Sequence, residues 1–280
     1  MNWFRSAVLD NPMFAEMPRQ ARRFVSPSGS GAVNRLAVGC MIAAYLGFMT
    51  LVGESQMPFE GVVWVEMILA AILVAPVTHK AIAGERDRRS WDLLQVAPLR
   101  PEQIVVGRFV GAMIPFLTLA VLATMVAPFS TASNSFYADG YRYASPAIST
   151  VALSQVYVVS WSLCLVALGI LISARSRRAF TALASTFGVL VIWLVVLPVL
   201  GSVVFDSFTW QIAEQLFPFT TLSSIFARTP DSQALTSPLA GALLMSTVYT
   251  IAGVSLLVWA SKTLHFADNQ VRFAGGRRHA

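Results

Sequence analysis

Charged side chains are scarce in this chain, and their scarcity excludes an ordinary soluble domain. Asp, Glu, Lys and Arg make up only 12% of the 280 residues, whereas 56% of the residues are hydrophobic. A soluble globular domain carries about 25% charged residues. The composition therefore places the chain among membrane proteins.

Cysteine and histidine are also scarce, and they show no metal-ligand spacing. The sequence contains 2 Cys and 3 His. Cys40 and Cys164 lie in separate apolar segments without a metal-ligand spacing, so we interpret both as small hydrophobic residues. The sequence has no Gly-x-x-x-x-Gly-Lys-Ser/Thr phosphate loop and no recognisable catalytic constellation. We predict no catalytic residue, no bound metal and no cofactor in this chain.

What the sequence does contain is a series of long apolar segments. We find six, near residues 32–52, 62–82, 104–127, 148–172, 179–201 and 239–261. A helix needs roughly 20 apolar residues to cross a bilayer. Lipid cannot satisfy free backbone groups, so these spans should be helical. The predicted fold class is an all-α polytopic membrane protein with six transmembrane helices.

The distribution of Lys and Arg predicts the topology. With the N-terminus inside, every Lys and Arg except Arg142 and Arg228 falls in a cytoplasmic segment. Basic residues accumulate in short loops on the cytoplasmic side of a membrane, so both termini should be cytoplasmic. The net charge of +6 then reflects membrane orientation. We predict no nucleic-acid binding, because no basic-aromatic surface accompanies the charge.

Three segments outside the spans have interpretable patterns. Residues 1–31 combine an amphipathic segment with a flexible linker, which favours a helix on the inner membrane surface. Residues 263–280 form a basic tail. The stretch 207–226 is amphipathic and aromatic but too polar to span, so an interfacial or re-entrant helix is predicted there.

The most charged stretch, GERDRRSWDLLQVAPLRPEQIVVGR at 84–108, lies between the second and third spans. Ser90 can cap a short helix that begins at Trp91, and Pro98 and Pro101 would stop it. Such a helix exposes Trp and Leu unless a partner or a neighbouring span covers them. The alternative is an ordinary polar loop that joins two spans and carries the cytoplasmic positive charge.

This stretch resembles the signature of ABC-2 type permeases, the membrane subunits of a class of ATP-binding-cassette exporters. Members commonly read Glu-Arg-Glu-x-Gly-Thr-x-Glu-Leu-Leu-x-x-x-Pro-Leu-Ser, followed by Glu-x-Ile-x-x-Gly-Lys. Here residues 85–94 read ERDRRSWDLL, 98–100 read PLR, 102–104 read EQI and 107–108 read GR. Arg89 replaces the usual Gly, and Ser90 and Arg108 replace Thr and Lys.

The resemblance implies a permease subunit of an ABC transporter, with a permease domain over 32–262 and an N-terminal connecting helix. The stretch would be a cytoplasmic coupling helix that docks on a separate ABC ATPase subunit, where ATP and Mg bind. The implied docking residues are Glu85, Asp87, Asp92, Leu93, Leu94 and Pro98. A second permease subunit, identical or related, membrane lipids and a bacterial inner membrane are also implied. The alternative function is a non-transporting membrane scaffold or assembly factor with the same fold.

Several polar residues fall inside or beside the predicted spans. Gln155, Ser160 and Ser162 in span four either line a substrate pathway or form helix–helix contacts. Glu66 in span two is a functional candidate because acidic groups are costly in a bilayer. Its position near the outer end of that span instead favours a hydrated, interfacial glutamate. The loop SARSRR at 173–178 is either a second ATPase contact or a positive-inside anchor.

Overall fold

The computed structural model describes residues 47, 48, 50, 58–87, 100–130, 147–204, 217–226 and 238–276. All regular elements in these ranges are helices. The helices are α1 (Phe59–Thr78), α2 (Ala83–Asp87), α3 (Pro101–Val126), α4 (Ile148–Arg175), α5 (Ala179–Val191), α6 (Leu197–Val204), α7 (Pro218–Phe226) and α8 (Pro238–Gly276). A 3₁₀ turn, Ala127–Phe129, extends α3, and a π-helical segment, Ile192–Val196, joins α5 to α6.

Five helical segments in the described part of the chain are long and apolar enough to cross a membrane. They are Phe59–Asp87, Pro101–Phe129, Ile148–Arg175, Ala179–Val204 and Ala240–Leu264. These segments coincide with predicted spans two to six and confirm an all-helical, polytopic architecture. The first predicted span, apart from residues 47, 48 and 50, and the predicted N-terminal helix lie outside the described residues.

Helix α4 forms the centre of the bundle. It packs against α1, α3, α5, α7 and α8. In its most apolar window 67% of the residues are buried, compared with 11% in Ala179–Val204. Trp161 and Leu165 of α4 are completely buried. The core therefore follows α4, whereas α5 and α6 lie at the periphery.

Glycines allow two close approaches to α4. A Cβ on Gly169 would overlap the side chain of Thr78 on α1. A Cβ on Gly253 of α8 would overlap the Leu163 side chain and lie 3.3 Å from Cα of Cys164. Helices in a membrane associate through tight packing of small residues, because lipid gives little hydrophobic drive for association. These glycines therefore set the spacing of α1 and α8 from α4.

The π-helical segment ends two residues before Pro198, which lies in the first turn of α6. A proline has no N–H to donate to the preceding turn, and its ring clashes with the carbonyl four residues earlier in a regular α-helix. That position, Leu194, lies within the π-helical segment.

The basic residues collect at one end of the bundle, which we call the α2 end. Here α1 and α4 end, and α3 and α5 begin. Every Lys and Arg of the described residues lies at this end or beyond it along α8: Lys80, Arg86, Arg100, Arg108, Arg175, Arg177, Arg178, Lys262 and Arg272. The Arg175 guanidinium lies 4.3 Å from the ring centroid of Trp259, which joins α4 to α8 at this end.

Candidate functional site at the α2 end

Helix α2 is capped by a serine from another helix. Ser173 of α4 is fully buried, and its Oγ accepts hydrogen bonds from the backbone N–H groups of Ile82 and Ala83, each at 3.1 Å. The same hydroxyl donates to the carbonyl of His79 at 3.1 Å. The first N–H groups of a helix have no partner within it, so Ser173 satisfies the start of α2.

Arg86 of α2 satisfies carbonyl groups at the end of α4. Its guanidinium donates to the carbonyl oxygens of Ala174 at 2.8 Å and Ser176 at 3.0 Å. The last carbonyls of a helix lack intrahelical donors and carry partial negative charge, so a cation is favourable there. Arg86 therefore fixes the end of α4 to α2.

Asp87, the last residue of α2, satisfies the start of α5. Its Oδ2 accepts a hydrogen bond from the backbone N–H of Ala179, the first residue of α5, at 2.7 Å. Arg178, at the N-cap position of α5, makes no side-chain cap. A carboxylate at a helix N-terminus is favoured by the helix dipole.

Glu85 connects α2 to α3. Its Oε1 accepts a hydrogen bond from Nη2 of Arg108 at 2.8 Å, and both side chains are partly buried. Together, Glu85, Arg86, Asp87, Arg108 and Ser173 form what we call the α2 junction. Through it, a five-residue helix is bonded to α3, α4 and α5.

The structure locates two of the six predicted docking residues. Glu85 and Asp87 both belong to the α2 junction and bond to other helices of this chain. Asp92, Leu93, Leu94 and Pro98 lie outside the described residues.

Ser173 and Arg86 are site residues that the sequence does not predict. The 173–178 loop is distinguished only by its basic residues, and the hydroxyl of Ser173 carries no distinguishing signal in the sequence. Arg86 matches the family signature, but its carbonyl partners lie some 90 residues along the chain. Within the described ranges, no three His, Cys, Asp or Glu side chains are grouped as a metal site would require.

A second polar contact lies inside the bundle, between α1 and α4. Nε2 of Gln155 donates to Oε2 of Glu66 at 3.0 Å, and Glu66 is only 4% exposed. The expectation that Glu66 is hydrated is therefore wrong, whereas its depth relative to the membrane interface stays a prediction. Helix α1 begins at Phe59, which puts Glu66 about two turns inside the helix. The side chain faces α4 and is shielded from solvent.

The other two predicted pathway residues are buried on α4. Ser160 is 9% exposed and donates to the carbonyl of Val156 in its own helix at 2.7 Å. Ser162 is 2% exposed. Of the three residues predicted to line a pathway, Gln155 is the one that the structure pairs with a charged side chain.

These features define a multi-pass, α-helical integral membrane protein with a bonded junction at its positively charged end. The family model described as ABC-2 family transporter protein matches residues 36–266, which is most of the chain. The protein therefore belongs to the ABC-2 transporter family, and the family predicted from the signature at 85–108 is confirmed. A comparison with curated proteins gives no match.

Proposed function

We propose that this chain is the permease subunit of an ABC exporter, which forms the substrate pathway and is driven by a separate ATPase subunit. The observation that carries the proposal is the α2 junction. Helix α2 ends at Asp87, directly before the rest of the signature, and is bonded to three membrane helices. A displacement applied to residues 88–98 would reach α3, α4 and α5 together.

Orientation supports the same proposal. All Lys and Arg of the described residues lie at or beyond the α2 end, and basic residues accumulate on the cytoplasmic side. We therefore propose that the α2 end faces the cytoplasm of a bacterial cell, with the protein in the inner membrane. The ATPase subunit, which would hold ATP and Mg, would contact the protein at this end.

We further propose a division of roles within the signature. The carboxylates of Glu85 and Asp87 bond to Arg108 and to the N–H of Ala179, so their role is to position the coupling segment. Asp92, Leu93, Leu94 and Pro98 would then provide the docking surface for the ATPase. Alternation between two states requires contacts that differ between them, and the α2 junction connects those contacts to the spans.

Exposed apolar side chains at the periphery of the bundle support two further partners, lipids and a second permease subunit. Large apolar side chains of α5, α6 and the π-helical segment between them are exposed, including Ile192 (53%), Val199 (59%) and Val203 (79%). A membrane protein covers such a surface with lipid or with another membrane subunit. We propose that lipids and a second permease subunit, identical or related, provide this cover.

The proposal is tested by purifying the tagged protein from its native membranes in mild detergent. The eluate is analysed by mass spectrometry and assayed for ATP hydrolysis. We expect a phosphate-loop ATPase to co-purify, and Leu94→Asp to remove it because a charge would enter an apolar docking surface. Ile148→Asp is the control, because Ile148 is 88% exposed at the opposite end of α4. An ATPase-free oligomer from wild-type membranes would contradict the proposal and favour the scaffold function.

A further inference from the structure

Two buried oxygen atoms in the Glu66–Gln155 pair lack a hydrogen-bond donor. The amide of Gln155 donates to Oε2 of Glu66, whereas Oε1 of Glu66 and Oε1 of Gln155 have no partner. Native proteins rarely leave buried acceptors unsatisfied, and each such case calls for an explanation. An acidic group inside a membrane bundle is costly and commonly marks a functional site.

The missing partner has to supply donors. Both unsatisfied atoms are acceptors, and one belongs to a carboxyl group, so the complement is a group with N–H or O–H bonds and positive charge. Every Lys and Arg of the described residues lies at or beyond the α2 end, away from the Glu66–Gln155 pair. Either a proton on Glu66 or a cation with several donors would satisfy the pair. A protonated amine meets the second description, because an ammonium group carries three donors.

The pair supplies one carboxyl group and one amide group, which together can accept the donors of a single ammonium group. A metal ion would be poorly served, since hard cations such as Ca²⁺ take about 6–8 oxygen ligands.

We propose that Glu66 and Gln155 bind the ammonium group of an amine-bearing solute in the membrane-spanning part of the protein. This inference rests on the proposed function, in which such a solute would be the transported substrate. The Glu66 carboxylate balances the ammonium charge, and the two Oε1 atoms accept N–H donors.

The substitution Glu66→Gln separates this role from a structural one. The glutamine amide has the shape of the protonated acid and can still accept from Gln155, but it cannot become negative. We therefore expect the variant to fold with an unchanged or higher melting temperature. If Glu66 had only a structural role, a variant that remains stable would keep its amine binding.

The test uses the full chain, purified with its associated subunits and placed in lipid nanodiscs. n-Decylammonium is titrated while tryptophan fluorescence and melting temperature are recorded, with n-decanol and NaCl as separate probes. We expect saturable binding of n-decylammonium that weakens at least about tenfold in Glu66→Gln, which corresponds to the loss of one charge-assisted contact. Gln155→Leu, which removes the amide acceptor, should also weaken binding.

Glu60→Gln is the matched control, because Glu60 lies in the first turn of the same helix and should leave binding unchanged. Equal binding by wild type and Glu66→Gln, equal binding of n-decanol, or a response to NaCl alone would overturn the inference. The two proposals fail separately. An ATPase that co-purifies without Glu66-dependent amine binding removes only the amine site. Glu66-dependent binding without any ATPase removes the exporter function and leaves an amine-binding membrane protein.

Discussion

At the α2 junction, a side chain of one helix satisfies the backbone N–H groups at the start of another helix. Ser173 satisfies the start of α2, and Asp87 satisfies the start of α5. Each cap comes from a different helix, so neither end can move far without breaking a hydrogen bond. These hydrogen bonds join the ends of α2 and α5 to neighbouring helices.

Glu85 gives the sharpest test at the residue scale. We expect Glu85→Lys to lower ATP-driven activity of the purified complex, because the lysine would face Arg108 at the distance of an ion pair. If Glu85 acts through Arg108, the exchange Glu85→Lys with Arg108→Glu should restore most of the activity. The measurement is ATP hydrolysis by wild type, both single variants and the exchange variant. Failure of the exchange, with all proteins folded, would contradict a role of Glu85 through Arg108.

The sequence predicts residues of this kind only in part. Similarity to the family signature selects Glu85 and Asp87, but their partners lie 23 and 92 positions along the chain. Nothing local to a serine in a basic loop shows that it will cap a distant helix. Glu66 was misjudged because its exposure depends on where α1 begins and which helix it faces. Both are consequences of tertiary packing.

At the scale of helices, the close approach of α1 and α4 depends on one missing side chain. We expect Gly169→Val to destabilise the protein by about 1–3 kcal/mol, because the added carbons would overlap Thr78 in a packed interface. The measurement is the thermal stability of the purified protein. Gly111→Val on α3 is the control, because a Cβ there meets no atom within 4 Å. Equal stability of the two variants would show that this contact does not set the spacing.

The positions of the apolar spans are the part of the fold that the sequence predicts best. The predicted spans two to six lie within a few residues of the apolar helical segments, because bilayer thickness fixes the length of such a segment. Within the predicted stretch 207–226, the described part forms helix α7 over Pro218–Phe226. Residues 207–216 lie outside the described residues, and an interfacial or re-entrant placement stays a prediction. The π-helical segment was not predicted. It is a local change in backbone hydrogen bonding, and hydropathy carries no information about such a change.

At the scale of the whole molecule, the features form two regions along α4. The α2 end collects the basic residues and the bonded junction, whereas the Glu66–Gln155 pair lies nearer the other end. Helix α4 contributes to both regions through Ser173 and Gln155 and contacts most of the other helices. In the proposed function, it is the path by which ATPase closure would change the environment of the pair. Hydropathy predicts the membrane class but cannot reveal this connection.

The most direct test of this account is hydrogen exchange, measured by mass spectrometry on the purified complex with and without ATP and vanadate. Trapping the ATPase should alter exchange in residues 88–98 and also in 79–87 and 173–181, because the α2 junction holds these segments together. A change confined to residues 88–98, in a complex that hydrolyses ATP, would contradict the account. The coupling segment would then move without the membrane helices to which α2 is bonded.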